Sequence, residues 1–239
     1  MPNFYFIFFL ALSLLARSAQ ADPQPLTLAS AQKIFDALPG DLSKKFGLEC
    51  GDRAHVWSYL LQNQFQVDSQ KIFLYYTTPS FNYTKMLWGF HVATVIHIGA
   101  DEYVIEKIPH YIVRDQGGFY LDETKLQYPS PLPLKDWLKA STGFTDCKRL
   151  DLNNSADKES FAAFNSVRPI ASTENCIIAI TPAAYWWPGD VYSAVMSQNY
   201  LTDASVPATQ AMTACMDTYP AKHDSGAKAA CTQLLGLTP

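Results

Sequence analysis

Apolar residues recur along this chain in several patterns, and the changes between them mark its elements. Residues 4–15 form an apolar run with no polar face, too short to cross a bilayer comfortably. Arg17 and the small-x-small triplet Ala19-Gln20-Ala21 follow it, which predicts a cleaved signal peptide over residues 1–21. Ile34, Phe35 and Leu38 share one helical face, predicting a helix over 30–38 that Pro39-Gly40 ends. A further helical turn is expected at 42–46. Ala54, Trp57, Leu60 and Leu61 recur at helical spacing and predict a helix from Cys50 to about 63.

Beyond that helix the pattern changes to runs rich in β-branched and aromatic residues. Residues 71–76 read as a strand and 77–85, with Pro79, as a polar loop. Residues 88–98 make a long strand, turned at Gly99-Ala100-Asp101 into a second arm over 103–108. A short strand at 119–121, a stiff connector at 129–133 and a helix at 134–140 carrying Trp137 come next. Residues 151–160 read as loop, 161–164 as a short helix and 176–180 as a buried strand. The aromatic block Tyr185-Trp186-Trp187 follows, and 205–239 read as a C-terminal helical extension. No internal repeat is visible. The expectation is an α+β domain over 22–239, with its helices packed on an antiparallel sheet.

Composition narrows the function. A formal charge of −4 with scattered basic residues argues against a nucleic-acid partner. Outside residues 4–15 no apolar run is long enough to span a membrane, so the mature chain is expected to be secreted, to leave the membrane and to act as a monomer. The five cysteines are an odd number for an oxidising compartment. Cys215 and Cys231 flank the C-terminal helical pair, and Cys147 and Cys176 are the next plausible partners. Cys50 is then the unpaired thiol.

A thiol at a helix start experiences unsatisfied backbone N–H groups and the helix dipole, both of which favour thiolate. His91, near the open end of its hairpin arm, is the candidate base. Glu106, on the returning arm, is the nearest carboxylate to orient it. A structural cysteine and a satisfied core histidine are the plainer alternatives. There is no Cys-x-x-Cys pair, no histidine pair at ligand spacing and no Gly-x-Ser-x-Gly, so neither a metal nor a cofactor is expected. The aromatic block is either a cleft wall or core packing.

Cys50-x-x-Arg53-Ala54-His55, followed by Trp88-x-Phe90-His91-Val92-Ala93, resembles the protein-glutaminase family of secreted enzymes that deamidate glutamine side chains in proteins. Val104-Ile105-Glu106-Lys107 sits where that family carries its third catalytic acid, and Pro133-Leu134-Lys135-Asp136-Trp137 resembles its following proline-to-tryptophan segment. The resemblance covers about residues 45–140. It implies a papain-like, transglutaminase-like cysteine hydrolase fold and a catalytic set of Cys50, His91 and Glu106. It also implies substrates that are proteins or peptides bearing glutamine. Trp88 and, with the aromatic block as a cleft wall, Tyr185 and Trp186 are the expected substrate contacts. Arg53 and His55 are read as structural, because His55 lies five residues along the helix from Cys50. The family usually carries aspartate at the third position. Glu106 is one methylene longer, and Asp115 or Asn82 is the alternative partner for His91. The competing activities are a related peptidase or transglutaminase, and a secreted binding module that has lost the chemistry.

Overall fold

The computed structural model describes residues 25–40, 50–84, 89–107, 112–115, 118–121, 128–164, 169–183 and 185. The expected signal peptide, the turn at 42–46, Trp88, Trp186, the C-terminal helices and the Cys215–Cys231 pairing lie outside them.

Eight strands and five helices are described, in an α+β arrangement. The strands are β1 (Gln70–Tyr76), β2 (Phe90–Ile98), β3 (Asp101–Ile105), β4 (Ile112–Asp115), β5 (Gly118–Leu121), β6 (Leu132–Pro133), β7 (Lys148–Arg149) and β8 (Cys176–Pro182). The helices are α1 (Leu28–Ala37), α2 (Cys50–Phe65), α3 (Thr78–Thr84), α4 (Leu134–Thr142) and α5 (Ser155–Ala163). Six strands form one sheet in the order β6-β3-β2-β1-β8-β7, antiparallel except for the β7–β8 pair. β4 and β5 make a separate two-stranded ribbon. The main sheet curls far enough for Arg149 on β7 to reach Glu102 on β3, with two hydrogen bonds of 2.8 Å.

β1 is central and buried on both faces. Its alternation assigns the layers. Phe73 and Tyr75 join Cys50 and Ala54 of α2, Phe161 of α5, and Ile177 and Ala179 of β8. Ile72, Leu74 and Tyr76 face the other way, into a core with Trp137 and Leu138 of α4. A third cluster packs α1 onto α2 through Phe35, Leu38, Trp57 and Leu61, and reaches Ile96 and Ile105. Trp57 also donates its indole N–H to the Pro39 carbonyl at 3.0 Å, tying α2 to the end of α1.

Several sequence expectations change in the structure. Residues 78–84 are helix, where a polar loop was expected around Pro79. Proline is tolerated in a first helical turn, where its missing N–H has no intrahelical partner to lose. The Thr77 N–H bonds the Ser80 hydroxyl, and the Phe81 N–H bonds the Thr77 carbonyl. Residues 155–163 are also helix, because Asn154 caps the Ala156 and Asp157 amides at 2.9 and 3.2 Å. The polar composition there belongs to an exposed helix face, and buried Phe161 anchors it. The β2–β3 hairpin forms as expected, on a two-residue turn in which Gly99 takes φ 64°. Its second arm starts earlier, at Asp101, and ends at Ile105, which leaves Glu106 just beyond the strand. β4, β6 and β7 have no clear sequence signal; two of them are only two residues long.

Cys147 and Cys176 are joined in a disulfide, as their positions led us to expect. It ties the segment following α4 to the start of β8 across a sequence separation of 29. Closing a loop of that length restricts the unfolded chain by about 3 kcal/mol. Replacing both cysteines with alanine should therefore lower unfolding free energy by about 3 kcal/mol in urea titrations. An unchanged midpoint would show that the bridge restrains nothing the fold does not already hold.

Candidate functional site

α2 begins at Cys50, a free thiol with 7% exposure. The sulfur-bearing residue belongs to the cluster that includes Phe90 and Val92, the neighbours of His91 on either side. His91 is the second residue of β2 and is fully buried. It shares its strand face with Ala93 and Val95, toward α4, whereas Val92 and Thr94 face α2. The Thr94 hydroxyl donates to the Ala54 carbonyl at 2.9 Å, which fixes the first turns of α2 against β2.

His91 Nε2 lies 2.7 Å from Glu106 Oε1. Strand register explains the pairing. Thr94 opposes Ile105, so continuing the register puts Glu106 opposite Ala93, one diagonal step from His91 on the same face. Diagonal neighbours in a sheet are about 7–8 Å apart, within reach of long side chains. The additional methylene that separates Glu106 from the aspartate of the family pattern suits this span. Asn82 is exposed on α3, and the Asp115 side chain lies outside the described residues.

Glu106 has a second partner. Trp137 Nε1 donates to Glu106 Oε2 at 2.6 Å, and the indole stacks on the His91 ring with centroids 5.8 Å apart and planes 23° apart. One aromatic side chain from α4 thus holds both the acid and the imidazole. The sequence reading placed Trp137 on a helix but gave it no part in the site. Its place in the proline-to-tryptophan segment was the one available signal. Lys107, next to Glu106, donates to the Leu38 carbonyl at 2.6 Å, anchoring this stretch at the end of α1.

The electrostatics follow from burial and partners. Burial pulls the His91 pKa down, but the Glu106 carboxylate and the Cys50 sulfur, as acceptors of the charged ring's N–H groups, outweigh it, raising the value to about 9. Glu106 engages Nε2, and Cys50 lies in the cluster formed by the residues flanking His91 on β2, so the three side chains share one buried region.

His55 belongs to a different group. It is fully buried, and Lys71 Nζ contacts its Nδ1 while also donating to the Tyr185 carbonyl at 2.8 Å. Burial, then Lys71, holds the His55 pKa well below the ordinary value. Burial likewise lowers Lys71, partly offset by Asp52. These groups bind α2, β1 and the Tyr185 backbone together. Tyr185 is 5% exposed, and its ring packs edge-on to Phe73 at 5.6 Å, behind the Cys50 cluster. Among the described residues, no group of three or more His, Cys, Asp or Glu is placed to hold a metal ion. An open hollow of about 490 Å³, lined in part by Gln70, Arg149, Asp151 and Pro182, lies toward the opposite end of β1 from His91 and includes none of the three site residues.

No curated protein matches the chain. No solved structure matches it either. Residues 41–115 match a family model described as Gln_deamidase_2, Glutaminase. That stretch contains Cys50, His91 and Glu106 and is similar to the glutaminase family.

Proposed function

We propose that this protein is a secreted enzyme that deamidates glutamine side chains in proteins, with Cys50 as nucleophile on a papain-like arrangement of helix and sheet. What supports the reading is the His91–Glu106 hydrogen bond, with Cys50 at the start of α2 against the residues flanking His91, within the stretch that matches the glutaminase family. The thiolate attacks the carboxamide carbon, and the backbone N–H of Cys50, at the first position of α2, faces the developing oxyanion. The imidazolium of His91 gives its proton to the departing nitrogen, so ammonia leaves and a thioester forms. Neutral His91 then takes a proton from water, whose oxygen attacks the thioester carbon. The products are a glutamate side chain and the restored Cys50–His91 pair. Glu106 and Trp137 act as positioning residues, keeping the ring's orientation through both steps. Trp88, Tyr185 and Trp186 belong to the proposed substrate wall, with Tyr185 as its buried backing.

Three measurements test this. The wild-type protein should release ammonia from an unfolded, glutamine-rich protein without shortening it, and Cys50→Ala should abolish the release. Equal ammonia from that variant would end the proposal. Peptide fragments would indicate a peptidase instead, and lysine-dependent crosslinks a transglutaminase. Because His91 must carry a proton to expel ammonia and its pKa is raised to about 9, kcat/KM should fall as pH rises through about 9. A profile that declines near the ordinary histidine value would show that Glu106 does not hold the imidazolium in solution. Trp137→Phe keeps an aromatic ring but removes the donor to Glu106. It should lower kcat about tenfold with KM unchanged, since hydrogen bonds to charged groups contribute about 1.5–3 kcal/mol. A rise in KM at constant kcat would place Trp137 in substrate binding instead.

A further inference from the structure

Of residues 50–61, Gly51 is the one that is not buried. It sits in the first turn of α2, directly after the thiol. Its φ is not in the left-handed range, where the positive values among described glycines belong to Gly99 and Gly143. The backbone therefore does not require glycine here. Packing does not require it either, because a Cβ built on Gly51 would meet nothing within 4 Å beyond its two chain neighbours and its own helix backbone. In a helix, glycine costs roughly 0.5–1 kcal/mol relative to alanine. The chain accepts that cost at the one partly exposed position of this stretch, directly after a cysteine that is 7% exposed.

The direction of the missing side chain matters. Cα–Cβ bonds tilt toward the N-terminus of a helix. A side chain at 51 would extend back over the first turn, into the space next to Cys50. A glutamine side chain places only three carbon–carbon bonds between its Cα and the carbon that the thiolate attacks. A polypeptide delivering that carbon to a nearly covered sulfur must bring its own main chain close to the helix end.

We propose that Gly51 is a specificity-determining residue: its absent side chain leaves the passage through which the main chain flanking a target glutamine approaches Cys50. The substrate class is a carboxamide carried within a polypeptide. This inference rests on the glutamine-deamidase reading for its chemistry, but its steric content can be read separately.

The test uses the full-length wild type, Gly51→Ala and Gly51→Leu, with two alkylating probes. One is iodoacetamide. The other is the same iodoacetamide group borne on a side chain in the middle of an unstructured peptide. In both, the Cys50 sulfur forms a bond to the methylene carbon and iodide leaves. Iodoacetamide should label all three proteins at equal rates, reporting an intact thiol–imidazole pair. The peptide-borne probe should label Gly51→Leu at least tenfold more slowly than wild type, with Gly51→Ala intermediate. Thermal melting should show Gly51→Ala at least as stable as wild type. In the ammonia assay, kcat/KM on protein should fall in the same order through KM. Equal labelling of wild type and Gly51→Leu by the peptide probe would overturn the inference, as would a parallel loss with both probes. Absence of ammonia from the wild type, with the probe discrimination intact, would remove the deamidase reading and leave the steric one standing.

Discussion

The Glu106 carboxylate satisfies two requirements from within the core. It is 2% exposed, and a buried charge is tolerated only when its hydrogen-bonding capacity is met. One oxygen takes His91 and the other takes the Trp137 indole N–H. Without the indole, the second oxygen would lose its donor from α4. Without the carboxylate, the fully buried His91 ring would follow its desolvation and give up its proton. The charged imidazole next to Cys50 thus depends on a pair of hydrogen bonds made on the α4 side of the sheet.

The layers explain how such a site is held. α2 lies on one face of the sheet, while His91, Glu106 and Trp137 share the other. Cys50 and His91 therefore belong to different layers, with Cys50 clustered against Phe90 and Val92, the residues flanking His91 at the start of β2. Each side has its own restraint. On the α2 face, Thr94 bonds the Ala54 carbonyl, and Lys71 joins His55 to the Tyr185 carbonyl. On the other face, the stacked indole limits rotation of the imidazole. Positioning of this kind matters because proton transfer requires hydrogen-bond geometry to be kept within tenths of an ångström.

The polar cluster beneath α2 has a different character. Asp52, Arg53, His55 and Lys71 are all buried. The lowered pKa values of His55 and Lys71 reflect burial first, unlike His91, where partner groups prevail over burial. One buried histidine is thereby kept neutral as a structural acceptor while another is kept charged. Their separate environments follow from periodicity: five residues of helix turn His55 away from Cys50 and toward β1.

Local rules in the sequence determined the helix starting at Cys50, the β2–β3 hairpin and the β1 and β8 strands, because each has a strong period or a turn residue with a required conformation. The pairing of His91 with Glu106 was legible for the same reason: hairpin register makes neighbours of residues far apart in number. Tertiary structure decided the rest. α5 starts at the Asn154 cap and α3 at the Ser80 hydroxyl that accepts the Thr77 N–H, in stretches that composition disguised as loop. The two-residue strands β6 and β7 exist only because neighbouring strands offer them partners. Trp137 joins the site through a contact between α4 and the residue after β3, which no periodicity within either segment encodes. Even the suitability of glutamate at 106 depended on its diagonal offset from His91, a distance set by pairing between strands and not by the order of residues along one of them.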